Sequence, residues 1–184
     1  MAALGGYRTV LEDLIPASLR KAESEIRANL DKAVELGKVS AGDAEAALGR
    51  IEYADSVEEA AREADLVIEA VPEEMASKIE IFTLLDKVCR PGTILASNTS
   101  SLSITEIASV TSRAKKCVGM HFFNPVHKMK LLEVVRALET DDETIAAAAE
   151  TGKRETRSFS HNLVLSIKLP GSSAPERIAS FNSP

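Results

Sequence analysis

The chain has 184 residues, 45% of them hydrophobic and 27% charged, with a formal net charge of −6. This balance suits a globular fold with a sizeable core and argues against disorder. It lacks the clustered Lys and Arg of a nucleic-acid footprint, and no apolar run approaches the roughly 20 residues of a membrane span. Cys89 and Cys117, the only cysteines, lack metal-ligand spacing and read as buried or free thiols. The stretch from Met1 to Val10 has no basic region followed by an apolar core, so no secretory signal is read and a cytoplasmic location is expected.

Tyr7 to Leu11 reads as a short strand ending in Glu12-Asp13. Pro16 suits the first turn of a helix, and Leu19, Ala22, Ile26, Leu30, Ala33 and Val34 recur at helical spacing up to Leu36. Gly37 has the place of a C-terminal glycine. Ser40 caps a second helix, with Asp43 completing a near capping box, that ends near Leu48-Gly49. Ile51 to Tyr53 is a strand, and Ser56-Val57-Glu58-Glu59 opens a helix ending near Ala64. Asp65 to Ala70 is a strand whose Leu66-Val67-Ile68 run fits a sheet covered on both faces. The spacing of Ile79, Phe82, Leu85 and Val88 predicts a helix from Glu73 to Val88. Arg90-Pro91-Gly92 is a turn, Thr93 to Ala96 a strand, Ser103 to Val110 a helix and Lys116 to Met120 a strand. Strands alternating with helices imply βαβ units: an α/β, doubly wound, mainly parallel sheet. The helical hairpin from Pro16 to Leu48 is an excursion between two strands.

His121 ends one apolar run, Gly119-Met120-His121-Phe122-Phe123-Asn124-Pro125, and Glu133 lies inside the next, Leu131-Leu132-Glu133-Val134-Val135. An unpaired charge in such a run is costly to bury. On adjacent strands, Glu133 could orient the imidazole and stabilise its protonated form, as a general base requires. Taken alone, the pair reads first as a core histidine beside a half-exposed strand glutamate.

A polar turn, Ser97-Asn98-Thr99-Ser100-Ser101-Leu102, follows a strand and precedes a helix. Several hydroxyls in one turn are by themselves unremarkable. The combined order SNTSSL, HFFNP, LLEVV closely resembles the 3-hydroxyacyl-CoA dehydrogenases, in their 3-hydroxybutyryl-CoA dehydrogenase-like form. The resemblance runs from about Gly6 to about Lys153. It implies a Rossmann-like NAD-binding domain that oxidises a 3-hydroxyacyl-CoA to the 3-oxoacyl-CoA in fatty-acid or butyrate metabolism. It also implies an acyl-CoA substrate and, for the intact family, a homodimer.

By the resemblance, His121 is the base, Glu133 its partner, and Ser100 the residue that bonds the substrate's 3-oxygen. Asn98, Ala70 and Glu73 fall on the nicotinamide side with Lys78 nearby, and Asn124 falls on the substrate side. Glu73 also reads as a first-turn helix acid favoured by the helix dipole. Asp13 occupies the position of the acid that bonds the adenosine ribose, with a solvated turn acid as its plain alternative. Glu12 is the lesser choice. In the family the helical hairpin helps bind CoA, so Asn29, Lys32 and Lys38 are weak candidates there. His127 reads as a solvated histidine in a polar connection, and His161 has no role.

The resemblance fails at both ends. The sequence contains no G-x-G-x-x-G, the loop that seats a pyrophosphate at a helix N-terminus. Ala2-Ala3-Leu4-Gly5-Gly6 reads as the end of the helix after it, so the first β-α unit is expected to be absent. Residues 1–153 are then a partial dinucleotide-binding domain. Residues 154–184 are an anomalous tail in which Pro170-Gly171 is followed by Ser172 rather than Phe, and the family's helical domain is missing. The expectation is an impaired or inactive fragment with no tight NAD(H) binding. Two alternatives are the dehydrogenase part of a multifunctional fatty-acid oxidation subunit and a non-catalytic remnant that binds acyl-CoA or another chain.

Overall fold

A computed structural model describes residues 1–123, 131–157, 164–168 and 177–180. The chain divides into two compact units, one mainly from residues 1–60 and one mainly from 61–152.

The first unit holds β1 (Thr9–Glu12), α1 (Pro16–Glu35), α2 (Ala41–Leu48) and β2 (Ile51–Ala54), followed by α3 (Val57–Ala61) at its boundary. Pro16 opens α1, where its missing N–H costs nothing. Gly37 closes it at φ +64, with Gly37 N–H donating to Val34 O and Lys38 N–H to Ala33 O. That pair of bonds is a Schellman ending, which favours glycine because of the positive φ. The Ser40 hydroxyl accepts from Asp43 N–H at 3.0 Å and starts α2. The two helices bury Leu30, Val39 and Ala44, with Ile26, Ala33, Val34 and Leu48 packed around them. β1 runs parallel to β2, Thr9 opposite Ile51.

The second unit is built on a sheet of order β3-β4-β5-β6-β7-β8. Its strands are β3 (Leu66–Glu69), β4 (Ile94–Ser97), β5 (Cys117–Phe122), β6 (Leu131–Arg136), β7 (Val164–Lys168) and β8 (Arg177–Ser180). Its helices are α4 (Met75–Val88), α5 (Ile104–Ala108) and α6 (Asp142–Arg157). β3, β4 and β5 are parallel, β6 is antiparallel to β5, β7 is parallel to β6, and β8 is antiparallel to β7. The mainly parallel α/β class read from the sequence therefore holds. Two segments of the expected tail, Val164–Lys168 and Arg177–Ser180, are strands of this same sheet.

Side-chain alternation along β5 and β6 separates core from site. Val118, Met120, Leu132 and Val134 are buried with Ala96 of β4 and Ile145 and Ala148 of α6. Gly119, His121, Glu133 and Val135 take the other face. A Cβ at Gly119 would lie 2.7 Å from the Val135 Cβ and 3.1 Å from Ile104 Cγ1. Only glycine permits α5 to approach β5 so closely, two residues before His121. At the opposite end of the strands, the Arg113 guanidinium bonds the Asp86 carboxylate at 2.7 Å and the carbonyls of Asp86, Cys89 and Arg90. It thereby satisfies the C-terminal carbonyls of α4.

Three local expectations are corrected. Lys116 belongs to a 3-10 turn, Ala114–Lys116, and β5 runs on to Phe122, so His121 lies within the strand. Leu66-Val67-Ile68 is not covered on both faces. Leu66 and Val67 are half-buried and Ile68 is 37% exposed, and β3 pairs only with β4 among the described residues. Glu73 is not in the first turn of a helix: α4 starts at Met75 after Glu74 as its N-cap, which frees Glu73 for another partner.

Candidate active site

Glu69 of β3 lies opposite Ser97 of β4, and Ser97 opposite Gly119 of β5. Because these strands are parallel, the segments that follow Glu69, Ser97 and Phe122 leave the sheet at one end. The carboxyl ends of parallel strands are where such sheets bind ligands.

His121 sits directly opposite Glu133 in the antiparallel β5–β6 ladder. This pairing brings the imidazole Nδ1 to 3.0 Å from Glu133 Oε2, with side chains 19% and 12% exposed. An ionised carboxylate only accepts, so Nδ1 carries the proton and donates. Nε2 is left with a lone pair, the state in which it can take a proton. The Phe123 ring packs on the imidazole, centroids 4.5 Å apart. Asn98 ties the end of β4 to this point, its Oδ1 accepting from Phe122 N–H at 2.9 Å. That bond fixes the amide plane and leaves its NH2 as a donor.

Glu73 gathers the polar turn. Its Oε1 accepts from the Thr99 hydroxyl at 2.5 Å, Ser100 N–H at 2.9 Å and Ser101 N–H at 3.3 Å. The Ser100 and Ser101 hydroxyls lie 3.2 and 3.4 Å from the same oxygen. One carboxylate oxygen cannot serve five donors, and the serine hydroxyls, whose hydrogens rotate, are the ones that exchange most readily. The Ser100 hydroxyl is thus held but available. The Thr99 hydroxyl, the backbone N–H groups of Ser100 and Ser101, and the Lys78 ammonium hold the Glu73 carboxyl down to about 2, against partial desolvation acting the other way.

Because the folded value is depressed, this carboxylate stabilises the turn fully above its ordinary value of 4.5, and the contribution is lost as pH falls toward about 2. A carbon-detected titration of the Glu73 carboxyl should give a midpoint near 2. A midpoint in the ordinary carboxylate range would mean that the turn does not bond it in solution.

Lys78 projects from the first turn of α4 into the protein, with its side chain 1% exposed. Its ammonium lies 2.7 Å from Glu69 Oε1, 3.2 Å from Val71 O and 3.4 Å from Glu73 Oε2. Glu69 is equally buried and also accepts from Val71 N–H at 2.7 Å and the Ser97 hydroxyl at 2.6 Å. The sequence reading missed Glu69 and Thr99. A carboxylate ending the apolar run Leu66-Val67-Ile68, with a lysine nine positions on in a helix, was the available signal for the first.

Ala70 is exposed, immediately after β3. In the first unit, Asp13 follows β1 and its Oδ1 accepts from Ile15 N–H at 2.8 Å, an Asx-type turn. Burial, with Asp13 adding to it, pushes the neighbouring Glu12 carboxyl up. Asn29 is exposed on α1, Lys32 pairs with Glu35 at 2.8 Å, and Lys38 is exposed beyond the helix. Asn124, His127 and His161 lie outside the described residues.

The family model for 3-hydroxyacyl-CoA dehydrogenase, NAD binding domain, matches residues 1–158. The chain belongs to this family. Members are NAD-dependent oxidoreductases acting on CH–OH groups. A probable 3-hydroxybutyryl-CoA dehydrogenase of Bacillus subtilis is 44% identical over 156 residues, covering 83% of this chain and 54% of that protein. The crystal structure of 3-hydroxybutyryl-CoA dehydrogenase from Escherichia coli superposes with a TM-score of 0.83 at 36% identity, covering 92% of this chain and 35% of that one. A peroxisomal bifunctional enzyme of Danio rerio is 54% identical over 93 residues, covering 50% of this chain and 13% of that protein. The chain spans about half the length of the curated 3-hydroxybutyryl-CoA dehydrogenases it matches.

Proposed function

We propose that this domain serves the NAD-dependent oxidation of a 3-hydroxyacyl-CoA to the 3-oxoacyl-CoA. The observation that carries the reading is the 3.0 Å bond between His121 Nδ1 and Glu133 Oε2, made across β5 and β6 at the end of β5 that Asn98, two residues before Ser100, bonds through Phe122 N–H. His121 Nε2 takes the proton of the substrate 3-hydroxyl. Glu133 holds the resulting imidazolium, and the Ser100 hydroxyl bonds the 3-oxygen. Bound NAD would supply the acceptor for the hydride that leaves C3.

The donor set suits the nicotinamide side of that cofactor: Ala70 offers a small surface, Asn98 a fixed amide, and Glu73 a partly exposed carboxylate. Asp13 is assigned to the adenosine ribose. The pyrophosphate has no glycine-rich loop within these 184 residues. Asn124 is assigned to the substrate, and Asn29 on the helical hairpin to its CoA portion.

Full-length protein supplied with 3-hydroxybutyryl-CoA and NAD should generate NADH, followed by its absorbance. Failure to oxidise short-chain or long-chain 3-hydroxyacyl-CoA would overturn the proposal. A second reading, the dehydrogenase part of a multifunctional subunit, is favoured by the 54% identity to the bifunctional enzyme over 93 residues. The mass of the native polypeptide separates them, since those 93 residues are only 13% of the bifunctional protein.

A further inference from the structure

Glu69 and Lys78 form a fully buried ion pair, each side chain 1% exposed. Burying two charges costs several kcal/mol per ion, and a buried pair often stabilises a fold no better than apolar side chains of the same volume. The arrangement around this pair shows what else it does. The Lys78 ammonium has two carboxylates within reach, Glu69 at 2.7 Å and Glu73 at 3.4 Å. It is seated on the first. The ammonium meets Glu73 at Oε2, while Glu73 Oε1 accepts from Thr99, Ser100 and Ser101. Glu69 is anchored in turn by Val71 N–H and by the Ser97 hydroxyl, and that hydroxyl accepts from Thr99 N–H at 3.3 Å.

We propose that Glu69 is a positioning residue: it draws the Lys78 ammonium to itself and limits it to the longer contact with Glu73 Oε2, so that Glu73 Oε1 stays with the 99–101 turn that carries Ser100. Its importance for turnover rests on Ser100 holding the substrate oxygen, but its effect on the turn does not. With the Glu69 charge removed, the ammonium has Glu73 as its only carboxylate partner among those it touches here. It moves toward Glu73 and competes with the turn's donors. Removing the ammonium as well abolishes the competition.

Amide hydrogen exchange in this chain reads the proposal without substrate or cofactor. In Glu69→Gln, exchange at Ser100 and Ser101 should quicken by about ten-fold or more, the scale of one charge-assisted hydrogen bond. Val118 and Met120, in the β5 core, should keep their parent protection. In the double variant Glu69→Gln/Lys78→Met, Ser100 and Ser101 should return close to the parent. The double variant buries no lone charge, so it carries the test even where the single variant is too unstable to measure. Unchanged exchange at Ser100 and Ser101 in Glu69→Gln would overturn the proposal. So would equal loosening of β5, which makes the pair a stability element alone, or lost protection in the double variant. If the turn behaves as expected but Ser100→Ala leaves turnover intact, the positioning stands and the assignment of Ser100 falls.

Discussion

Replacing His121 with glutamine should lower turnover in the full-length protein by about 10²- to 10⁴-fold, the range that general-base catalysis supplies. The Michaelis constant should change much less, because the lost interaction belongs to the transition state rather than to substrate binding. Glutamine keeps polarity and approximate size at a position 19% exposed in its side chain. It can still accept or donate a hydrogen bond to Glu133, but it cannot take a proton near neutral pH. Glu133→Gln should act in the same direction and more mildly. Nδ1 would then face an amide, which neither favours one tautomer as strongly nor compensates an imidazolium. Turnover in His121→Gln within a few-fold of the parent would remove His121 as the base and make His127 the residue to test.

Lys78→Met should be the costliest single substitution for stability in the second unit. Methionine fills much the same volume, so the cavity left is small. What remains is Glu69, 1% exposed, with the Val71 N–H and the Ser97 hydroxyl but without its counter-charge. Stripping one partner from a buried ion pair costs about 3–5 kcal/mol. Urea denaturation should show that loss as a lower midpoint with little change in slope. A loss below about 1 kcal/mol would mean that the pair is wetter than its geometry indicates, since exposed ion pairs are worth that little.

The sequence made the frame of this molecule legible, and local chemistry explains why. Pro16, Gly37 and Ser40 mark the ends of α1 and the start of α2 because each residue type solves a terminus problem with its own atoms. The strands were visible as apolar runs. Long-range register was not, because no local signal states which residue of β5 faces which residue of β6. The motif order suggested that His121 and Glu133 meet; the antiparallel ladder sets them directly opposite. Glu73 shows the converse. Its local context favoured a helix start, yet the partners that hold it are in the 99–101 turn, 26 to 28 residues away. Glu69 was hidden for the same reason. At the end of an apolar strand it looks like a boundary residue, and only the fold brings Lys78 and Ser97 to it.

The central claim is that His121 presents an unprotonated Nε2 because Glu133 holds the proton on Nδ1. Long-range proton–nitrogen correlation spectra of the neutral imidazole test this most directly. The account predicts the Nδ1–H tautomer, with Nε2 at the shift of a pyridine-type nitrogen, and a move toward a tautomer mixture in Glu133→Gln. A dominant Nε2–H tautomer in the parent protein would contradict it.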